Sequence, residues 1–528
     1  MKLSRVILCS VLVVLSVTAV GQGRMTYSEL ARELAGPKPI LEYVGVSFEN
    51  DLEKNLDNPQ DLSKPDLFNK YLYALIKNDS AGYFTINKEE VVFDHCTFDN
   101  DLIFKNVKFN GTLAIANPTF SGRKSLYPVL VLDSSLVTNG LLISSQNTIQ
   151  RIQISNAQIG VTFLLDVDNV HSVAISGTRI NLDDPNPLRP FSVFVGKNVS
   201  LFSFDNSEVR HTTGNQLLGG FIAASATLRI RSSSFYSAST DAGLAIFASN
   251  ADLKNIILIE NTFDVHVMLY PPVDVAIKLM DNSFKKNLGW EYTGLAPSSV
   301  IDWETIPVSR AGQYFGVDGG IFPDSLFFNG RNDEQLDNRR RVMQLIKMFK
   351  GMYDLYKTGG DIESANAAYI VIRDLETRYL QRVQEKDPTY ETFLKIKLNQ
   401  LMKVYTLYGT SPARAIIVSG WVILAFAVFY FFFPSSWDVT SKSRLISNFR
   451  DFAQKNEKGY VKPFFVMMGG FMISVLNALT LSLNSFVTLG FGEIPTTGAA
   501  RYVTIVQGFL GWFLLSIFTV AVINQALF

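Results

Sequence analysis

The sequence predicts a multi-domain α and β membrane protein with a parallel β-solenoid, a helical connector and a C-terminal membrane domain. Apolar residues are concentrated before residue 21 and after residue 412, as expected for a membrane protein with a large water-facing part. A short polar motif recurs through residues 84–290, and apolar residues follow a helical period over 333–405. The 48 basic and 48 acidic residues balance, so the charge indicates no nucleic-acid partner.

The first residues have the pattern of a secretory signal. Two basic residues precede an apolar run over 6–17 that is too short to span a membrane comfortably, and residues 19–21 form a small-residue cleavage site. We expect residues 1–21 to be a signal peptide and the chain from residue 24 onward to leave the cytoplasm. An uncleaved anchor is the alternative, and it would export the same part of the chain.

The cysteines and histidines predict neither a disulfide framework nor a metal site. Removal of the signal would take away Cys9 and leave Cys96, which cannot form an internal disulfide alone. Because Cys96 lies in an alternating apolar pattern, we expect its side chain to be buried. The four histidines lack the spacing of metal ligands and are His95, His171, His211 and His266.

A helical lead-in is predicted over residues 24–83. Thr26 is followed three residues later by Glu29, the pattern of a capping box, which predicts a helix over 26–35. A second helix is predicted over 61–78.

Residues 84–330 are predicted to form the β-solenoid. Short runs rich in Val, Ile and Phe alternate with Asn, Ser, Asp and Gly, and a polar step that closes on an apolar residue keeps returning. The closing residues of successive steps are 22, 21, 29, 26, 28 and 21 residues apart, which is typical of stacked coils. We expect each coil to turn at the polar step and to bury its closing residue, and these residues are Val137, Ile159, Ile180, Val209, Phe235, Phe263 and Phe284.

This pattern resembles a degenerate right-handed β-helix or a pentapeptide-repeat solenoid, in which stacked coils pair their backbones and share one core. A tandem of immunoglobulin-like domains is the main alternative.

Many β-helices cleave carbohydrates with clustered carboxylates. Here neither Asp166 with Asp168 nor Asp183 with Asp184 has a second acidic cluster at coil spacing. We therefore expect solvated surface acids and no catalytic residues.

Residues 331–411 are predicted to form a helical connector of three amphipathic helices. Gly359 and Gly360 separate the first helix from the second, and Pro388 starts the third. Pro412 begins the membrane part. The connector is either a spacer or a lever between the solenoid and the membrane domain.

The membrane domain is predicted over residues 412–528. Residues 415–433 and 502–523 are apolar, free of charge and long enough to span a bilayer. The run over 463–487 has two interpretations. Its last dozen residues could form a short helix that enters the membrane after a re-entrant lead-in, or the whole run could be a third spanning helix.

The loop over residues 434–462 predicts the orientation. It carries six basic residues against three acidic ones, an excess typical of a cytoplasmic loop. Together with the signal, this predicts a multi-pass protein of the inner (plasma) membrane with a large non-cytoplasmic N-terminal domain. A loop that enters the membrane after residue 463 would then come from the cytoplasm.

Between the charge-free runs 463–492 and 502–528 lies the motif Thr488, Leu489, Gly490, Phe491, Gly492 and Glu493. It resembles, position by position, the Thr-Val-Gly-Tyr-Gly-Asp filter of potassium channels. Glycine permits the positive φ that lets consecutive carbonyls point at one axis. Residues 477–487 resemble a pore helix, and Pro495 and Arg501 precede the last helix, in the order of a two-helix potassium-channel pore. A Gly-rich turn between two membrane helices is the alternative.

The resemblance covers about residues 412–528 and implies a two-helix pore domain with a re-entrant pore loop. It implies a homotetrameric cation channel, because one chain supplies only a quarter of each ring of carbonyls. The carbonyls of residues 488–491 would bind the permeant ion, expected to be K⁺. Gly492 would complete the loop, with Glu493 and Pro495 flanking it. No further metal, cofactor or catalytic residue is implied.

The motif departs from the family pattern at Leu489, Phe491 and Glu493. Backbone carbonyls survive these changes, but bracing by a tyrosine hydroxyl is lost, so the resemblance supports cation conduction more strongly than strict K⁺ selectivity. Similar channels carry a hinge glycine where Gly511 stands. Gly508 and Gly511 are therefore candidates for a gating hinge, and helix packing is the alternative role.

The exported solenoid would be a sensory or regulatory domain with a ligand of its own. A second function comes from another class: a membrane-anchored β-helix protein that binds or cleaves glycans, with its helices serving as anchors. Ion flux in liposomes would discriminate between the two.

Overall fold

The computed structural model divides the chain into two compact units, residues 1–355 and 356–528. The predicted signal peptide and the pair Asp183 and Asp184 lie outside the described residues. The described residues are 23–51, 64–121, 129–182, 191–196, 198–211, 219–223, 226–239, 243–248, 253–291, 293–314, 327–433, 443, 446–447, 449–450, 461–488 and 499–526.

The first unit contains a stack of parallel β-strands, arranged in four sheets within the described residues. A short sheet, sheet 1, contains β1 Arg24–Thr26, β3 Ser47–Glu49, β6 Thr97–Phe98 and β10 Thr119–Phe120. Sheet 2 contains β7 Leu102–Lys105, β11 Val129–Asp133, β14 Ile149–Ser155, β17 Val170–Ser176, β20 Leu201–Asp205, β23 Thr227–Arg231, β26 Asn255–Ile259, β29 Ala276–Met280 and β32 Val300–Ile301.

Sheet 3 contains β4 Phe84–Ile86, β8 Val107–Phe109, β12 Leu136–Val137, β15 Gln158–Gly160, β18 Arg179–Leu182, β21 Glu208–His211, β24 Ser234–Ser237, β27 Thr262–Asp264 and β30 Ser283–Phe284. Sheet 4 contains β2 Ile40–Val44, β5 Glu90–Asp94, β9 Thr112–Ala116, β13 Gly140–Ser145, β16 Thr162–Val167, β19 Phe191–Val195, β22 Gly219–Ala223, β25 Gly243–Ala248, β28 His266–Tyr270, β31 Leu288–Trp290, β33 Ala311–Tyr314 and β34 Phe327–Phe328. Successive coils visit sheets 2, 3 and 4 in turn, which confirms the predicted parallel solenoid and excludes the immunoglobulin-like tandem.

The corners between sheet 2 and sheet 3 confirm the role of the polar step. The second residue of each step has a φ between 47° and 59°, a left-handed conformation that Asn, Asp and Gly tolerate best. The closing apolar residue of each step is at most 7% exposed. The left-handed corner residues are Ser134, Asn156, Gly177, Asn206, Ser232, Glu260 and Asp281.

The third residue of the step forms a buried polar ladder, which the sequence pattern did not predict. In five coils a side-chain oxygen at this position accepts a hydrogen bond from a backbone N–H of the preceding coil, at 3.0–3.1 Å. A buried backbone N–H without such an acceptor would lower the stability of the fold. This explains why the third position of the step carries small hydroxyl and amide side chains. The acceptors are Ser135, Ser207, Ser233, Asn261 and Asn282.

The stack begins earlier than the predicted boundary at residue 84. β2 pairs with β5 and β3 pairs with β6, so residues 40–49 already belong to a coil. The helices α1 Tyr27–Ala35 and α2 Lys64–Leu75 flank this coil and hide its period. The predicted capping box of Thr26 and Glu29 is present at the start of α1.

The far end of the stack is also covered. β33 pairs with β34 in the one antiparallel strand pair of the described residues, and Gln313 of β33 donates to the carbonyl of Gln344 at 2.8 Å. Gln344 lies in α3 Arg339–Gly359, which follows a short 3₁₀ helix, Gln335–Asp337. Elements that cover a terminal coil prevent it from pairing with other chains.

The second unit contains the rest of the connector and the membrane domain. α4 Ile362–Lys386 and α5 Tyr390–Thr406 begin and end at the predicted breaks. After a turn of three residues with positive φ, 407–409, α6 Pro412–Phe432 begins, followed by α7 Val461–Val487 and α8 Ala499–Ala526. Asp374 of α4 braces this turn, because its carboxylate accepts from the Tyr408 hydroxyl and pairs with Lys403, both at 2.8 Å.

Candidate functional site

Three helices within the described residues are long and apolar enough to cross a membrane. Their apolar segments are Pro412–Phe432, Met468–Val487 and Ala500–Gln525. These segments support a membrane protein, and they form a bundle in which α6 contacts both α7 and α8. The predicted filter motif lies between the second and third of them.

Two hydrophobic clusters fix the direction of the three helices. One cluster joins Tyr430 near the end of α6, Ala478 of α7 and Ala500 at the start of α8. The other joins the start of α6 at Ala415 to the end of α7 and to the second half of α8, at Phe486 and Leu514. From the first cluster to the second, residue numbers increase along α7 and α8 and decrease along α6. α7 and α8 therefore run side by side in the same direction.

A buried polar network lies between the two clusters. The Gln507 amide donates to the carbonyl and the hydroxyl of Ser482, at 3.0 and 2.7 Å. The Ser482 hydroxyl donates to the carbonyl of Ile423 at 2.7 Å, and the Tyr430 hydroxyl donates to Gln507 at 2.9 Å. Each interhelical hydrogen bond in a membrane stabilises the association by about 0.6 kcal/mol on average. The network therefore holds α6, α7 and α8 in one register.

Gly511 lets the backbones of α7 and α8 approach closely. A Cβ built on Gly511 would lie 2.1 Å from the carbonyl oxygen of Phe486, and Gly508, one turn earlier, is buried as well. This geometry supports the helix-packing role of the two glycines. α8 continues through both residues as one helix, and their proposed role as a hinge stays a prediction.

α7 ends inside the bundle. Ser482 contacts Ile423 near the middle of α6, and α7 ends five residues later, at Val487. α8 continues for 15 residues beyond Gly511, which is about 22 Å at 1.5 Å per residue. The final residues of α7 are therefore level with the interior of α8 and not with its end.

Thr488 is the one residue of the predicted filter within the described part of the chain. Its backbone N–H and its hydroxyl both bond to the carbonyl of Asn484, at 2.9 and 2.6 Å, so it completes the last turn of α7. The other filter and flanking positions lie outside the described residues: Leu489, Gly490, Phe491, Gly492, Glu493 and Pro495.

The membrane domain has three apolar helices where two and a short pore helix were predicted. α7 is one continuous helix of 27 residues, without a break between a lead-in and a pore helix. Gly469 and Gly470 do not interrupt it, because glycine weakens a helix without breaking its hydrogen bonds, and Pro463 lies in its first turn, where proline is tolerated.

Outside the bundle, the described residues contain no group of three or more His, Cys, Asp and Glu side chains that could hold a metal ion. Asp166 lies in β16 in register with Ser144 and Phe194, so neither neighbouring strand offers a second carboxylate beside it. Asp168 follows the end of β16 and does not share the strand with Asp166.

No protein-family model matches the chain, and it has no match among curated proteins or solved structures.

Proposed function

We propose that the chain is one subunit of a cation channel, with K⁺ as the expected permeant ion and residues 488–492 as its selectivity filter. One observation carries this proposal: α7 runs in the same direction as α8 and ends beside the interior of α8. Two adjacent membrane helices joined by a simple turn run in opposite directions. A parallel pair requires the connecting segment to return along the bundle.

The length that the connecting segment must cover can be estimated from the end of α7 and the start of α8. Gly511, beside the end of α7, lies 12 residues along α8 from Ala499, a distance of about 18 Å. The ten residues that join Thr488 to Ala499 can extend over about 33–36 Å, so they are long enough. Non-helical backbone at membrane depth is tolerated where it is buried in protein or lines a water-filled cavity. The geometry thus favours a pore loop over a lipid-exposed turn.

The composition of this segment suits ion binding. Gly490 and Gly492 permit the backbone angles that aim successive carbonyls at one axis, and no charged side chain precedes Glu493 in the segment. Because each chain contributes one strand of carbonyls, the proposal requires a ring of chains, and the resemblance to potassium channels specifies four.

The exposed polar face of α7 supports such a ring. Thr480, Asn484 and Thr488 recur every four residues and lie on one side of the helix. Thr480 and Thr488 are exposed in the single chain, and Asn484 is partly exposed. Polar residues in membrane helices face neighbouring protein or water in most cases. We propose that neighbouring subunits and the ion pathway cover this face.

The test is cation flux through the purified full-length protein in liposomes. Wild-type protein should dissipate a K⁺ gradient faster than a Na⁺ gradient. Gly490→Ala should abolish flux, because a Cβ opposes the backbone angles that the filter needs. The matched control is Gly420→Ala on α6, where an added Cβ meets nothing within 4 Å, and it should conduct like the wild type.

Normal flux through Gly490→Ala would contradict the filter assignment. Glycan binding or turnover without any flux from the wild-type protein would favour the membrane-anchored glycan protein instead. Equal oligomer size and thermal stability of the two glycine variants would exclude misfolding as the cause of lost flux.

A further inference from the structure

α5 carries an apolar stripe that continues into the membrane bundle. Its large apolar residues recur at intervals of four, four, three and four positions, the spacing of one helix face. We call them the α5 stripe, and they are Tyr390, Leu394, Leu398, Leu401 and Tyr405.

The C-terminal part of the α5 stripe is covered by membrane helices. Tyr405 is buried in the cluster that contains Ala415, Phe486 and Leu514, and Leu401 packs against the same cluster. The Tyr405 hydroxyl lies 2.9 Å from the hydroxyl of Ser419 in α6. This end of α5 is therefore fixed against the apolar bundle.

The rest of the stripe is uncovered. Tyr390, Leu394 and Leu398 are 76%, 47% and 49% exposed, and Phe393 beside them is 44% exposed. These are high values for large apolar side chains that follow one another along one face.

The opposite face of α5 already has a partner. Ile396 and Asn399 are buried, and the Asn399 amide oxygen accepts from Arg373 of α4 at 3.0 Å. α4 thus covers the face of α5 opposite the stripe, and Tyr390, Leu394 and Leu398 of the stripe stay exposed.

The depth of the stripe follows from α6. Its 21 residues are about 31 Å long, which matches the hydrocarbon core of a bilayer, so Pro412 lies near one boundary of the core. Ser419 is about 10 Å inside that boundary, and the Tyr405 hydroxyl reaches the Ser419 hydroxyl. Leu398 is only seven residues, about 10 Å, from Tyr405 along α5. Leu398 is therefore the uncovered residue nearest to the membrane core, and Leu394 and Tyr390 continue the stripe about 16 and 22 Å from Tyr405.

We infer that α5 lies on the membrane surface and that its uncovered residues Tyr390, Phe393, Leu394 and Leu398 insert between lipid headgroups. Charge favours lipid over a second copy of the chain. Two of the three lysines of α5 are paired with carboxylates, Lys395 with Glu391 and Lys403 with Asp374, and the third is Lys397. Lys397 lies beside the stripe, with its Nζ 5.6 Å from the Phe393 ring centroid. A lysine can extend from an apolar surface to lipid phosphates, whereas a dry protein interface would bury its charge.

This inference concerns membrane contact and does not depend on ion conduction. The test uses spin labels on the full-length protein, with Cys9 and Cys96 replaced by Ala, in vesicles of phosphatidylcholine and phosphatidylglycerol. Labels are attached to Leu394→Cys and Leu398→Cys. Ile417→Cys on the exposed surface of α6 is the lipid-facing control, and Lys395→Cys on another side of α5 is the water-facing control.

Collision rates with oxygen, which concentrates in lipid, and with a water-soluble nickel chelate are measured at each site. We expect both stripe labels to give an oxygen-to-nickel ratio several times that of Lys395→Cys and close to that of Ile417→Cys. A higher nickel than oxygen rate would place the stripe in water. Protection from both reagents would place it against protein, such as a second copy. Either result overturns the inference, and unchanged elution and circular dichroism verify that the labelled proteins are folded.

Discussion

At the scale of single residues, Gly511 is a position where one added methyl group should disturb the membrane bundle. Gly511→Ala would place Cβ 2.1 Å from the carbonyl oxygen of Phe486, so α7 and α8 would have to separate. Overpacking of this kind costs about 1–3 kcal/mol. We expect a lower thermal midpoint in detergent and reduced flux.

The control for Gly511 is Gly469→Ala in α7, where an added Cβ meets nothing within 4 Å. Alanine has the higher helix propensity, so this variant should be as stable as the wild type or more so. If Gly511→Ala melted at the same temperature as Gly469→Ala, the close contact of α7 and α8 would be wrong.

Cys96 is buried as predicted, and its thiol donates to the carbonyl of Tyr43 at 3.2 Å. Burial raises the pKa of the Cys96 thiol from 9.0 to about 11. We expect iodoacetamide at pH 8 to leave Cys96 unmodified in the folded protein and to alkylate it in denaturant, as measured by mass spectrometry.

The same pKa predicts a pH dependence of stability. Above pH 9 the unfolded chain releases the Cys96 proton while the folded protein retains it, so the free energy of unfolding should fall as the pH rises from about 9 towards 11. Cys96→Ala should lack this component. If the free energy of unfolding of Cys96→Ala fell as steeply with rising pH as that of the wild type, other groups would be responsible for the pH dependence.

At the scale of elements, each corner between sheet 2 and sheet 3 depends on one left-handed residue. Asn206 has a φ of 48°, which a β-branched residue adopts with difficulty and glycine adopts freely. Asn206→Val should lower the free energy of unfolding by about 1–2 kcal/mol, while Asn206→Gly should change it by a few tenths. Denaturant unfolding of the two variants provides the comparison, and equal destabilisation would show that the side chain matters and the backbone angle does not.

α7 illustrates the limit of element-level patterns. Its apolar sequence permitted either a pore helix with a lead-in or one long helix, because both satisfy the same hydropathy. The continuous helix has its polar network and its glycine contact in the second half, at Ser482 and Phe486. The sequence signal for this network was the presence of Tyr430 and Gln507 as isolated polar residues in apolar runs. Polar side chains in membrane helices form hydrogen bonds with one another across helices.

At the scale of the whole molecule, the proposed filter predicts a tetramer. Crosslinking of the full-length protein in mild detergent should end at a species of four subunits, because a ring of carbonyls needs four strands. Mass measurement in solution should give the same number. A monomer or dimer that still conducts cations would contradict the proposed pore.

The orientation of the molecule is tested by two cysteines in a chain that lacks Cys96. Ser447→Cys, in the basic loop, should resist a membrane-impermeant thiol reagent in intact cells, because basic loops are retained in the cytoplasm. Ser298→Cys, an exposed residue of the first unit, should react once the outer barrier is opened. The reverse pattern would place the solenoid in the cytoplasm and would show that residues 1–21 are not an export signal.

The sequence by itself determined the features that depend on local rules. Asn, Asp, Ser and Gly at the corners and apolar closing residues at coil spacing predicted the solenoid, because few residues adopt a left-handed φ and one face of each strand must be buried. Gly360, Pro388 and Pro412 set the ends of the connector helices for equally local reasons. The apolar runs located the membrane helices, since length and hydropathy suffice for that.

Only the tertiary structure decided which surfaces meet. The parallel course of α7 and α8, the contact of Gly511 with Phe486 and the coil at residues 40–49 depend on residues far apart in the chain. The stripe of α5 was visible as a helical period. Which part of it packs on the bundle and which part is left for lipid depends on where α4 and α6 lie. Periodicity shows that a face is apolar, whereas its partner is set by long-range packing that no local pattern encodes.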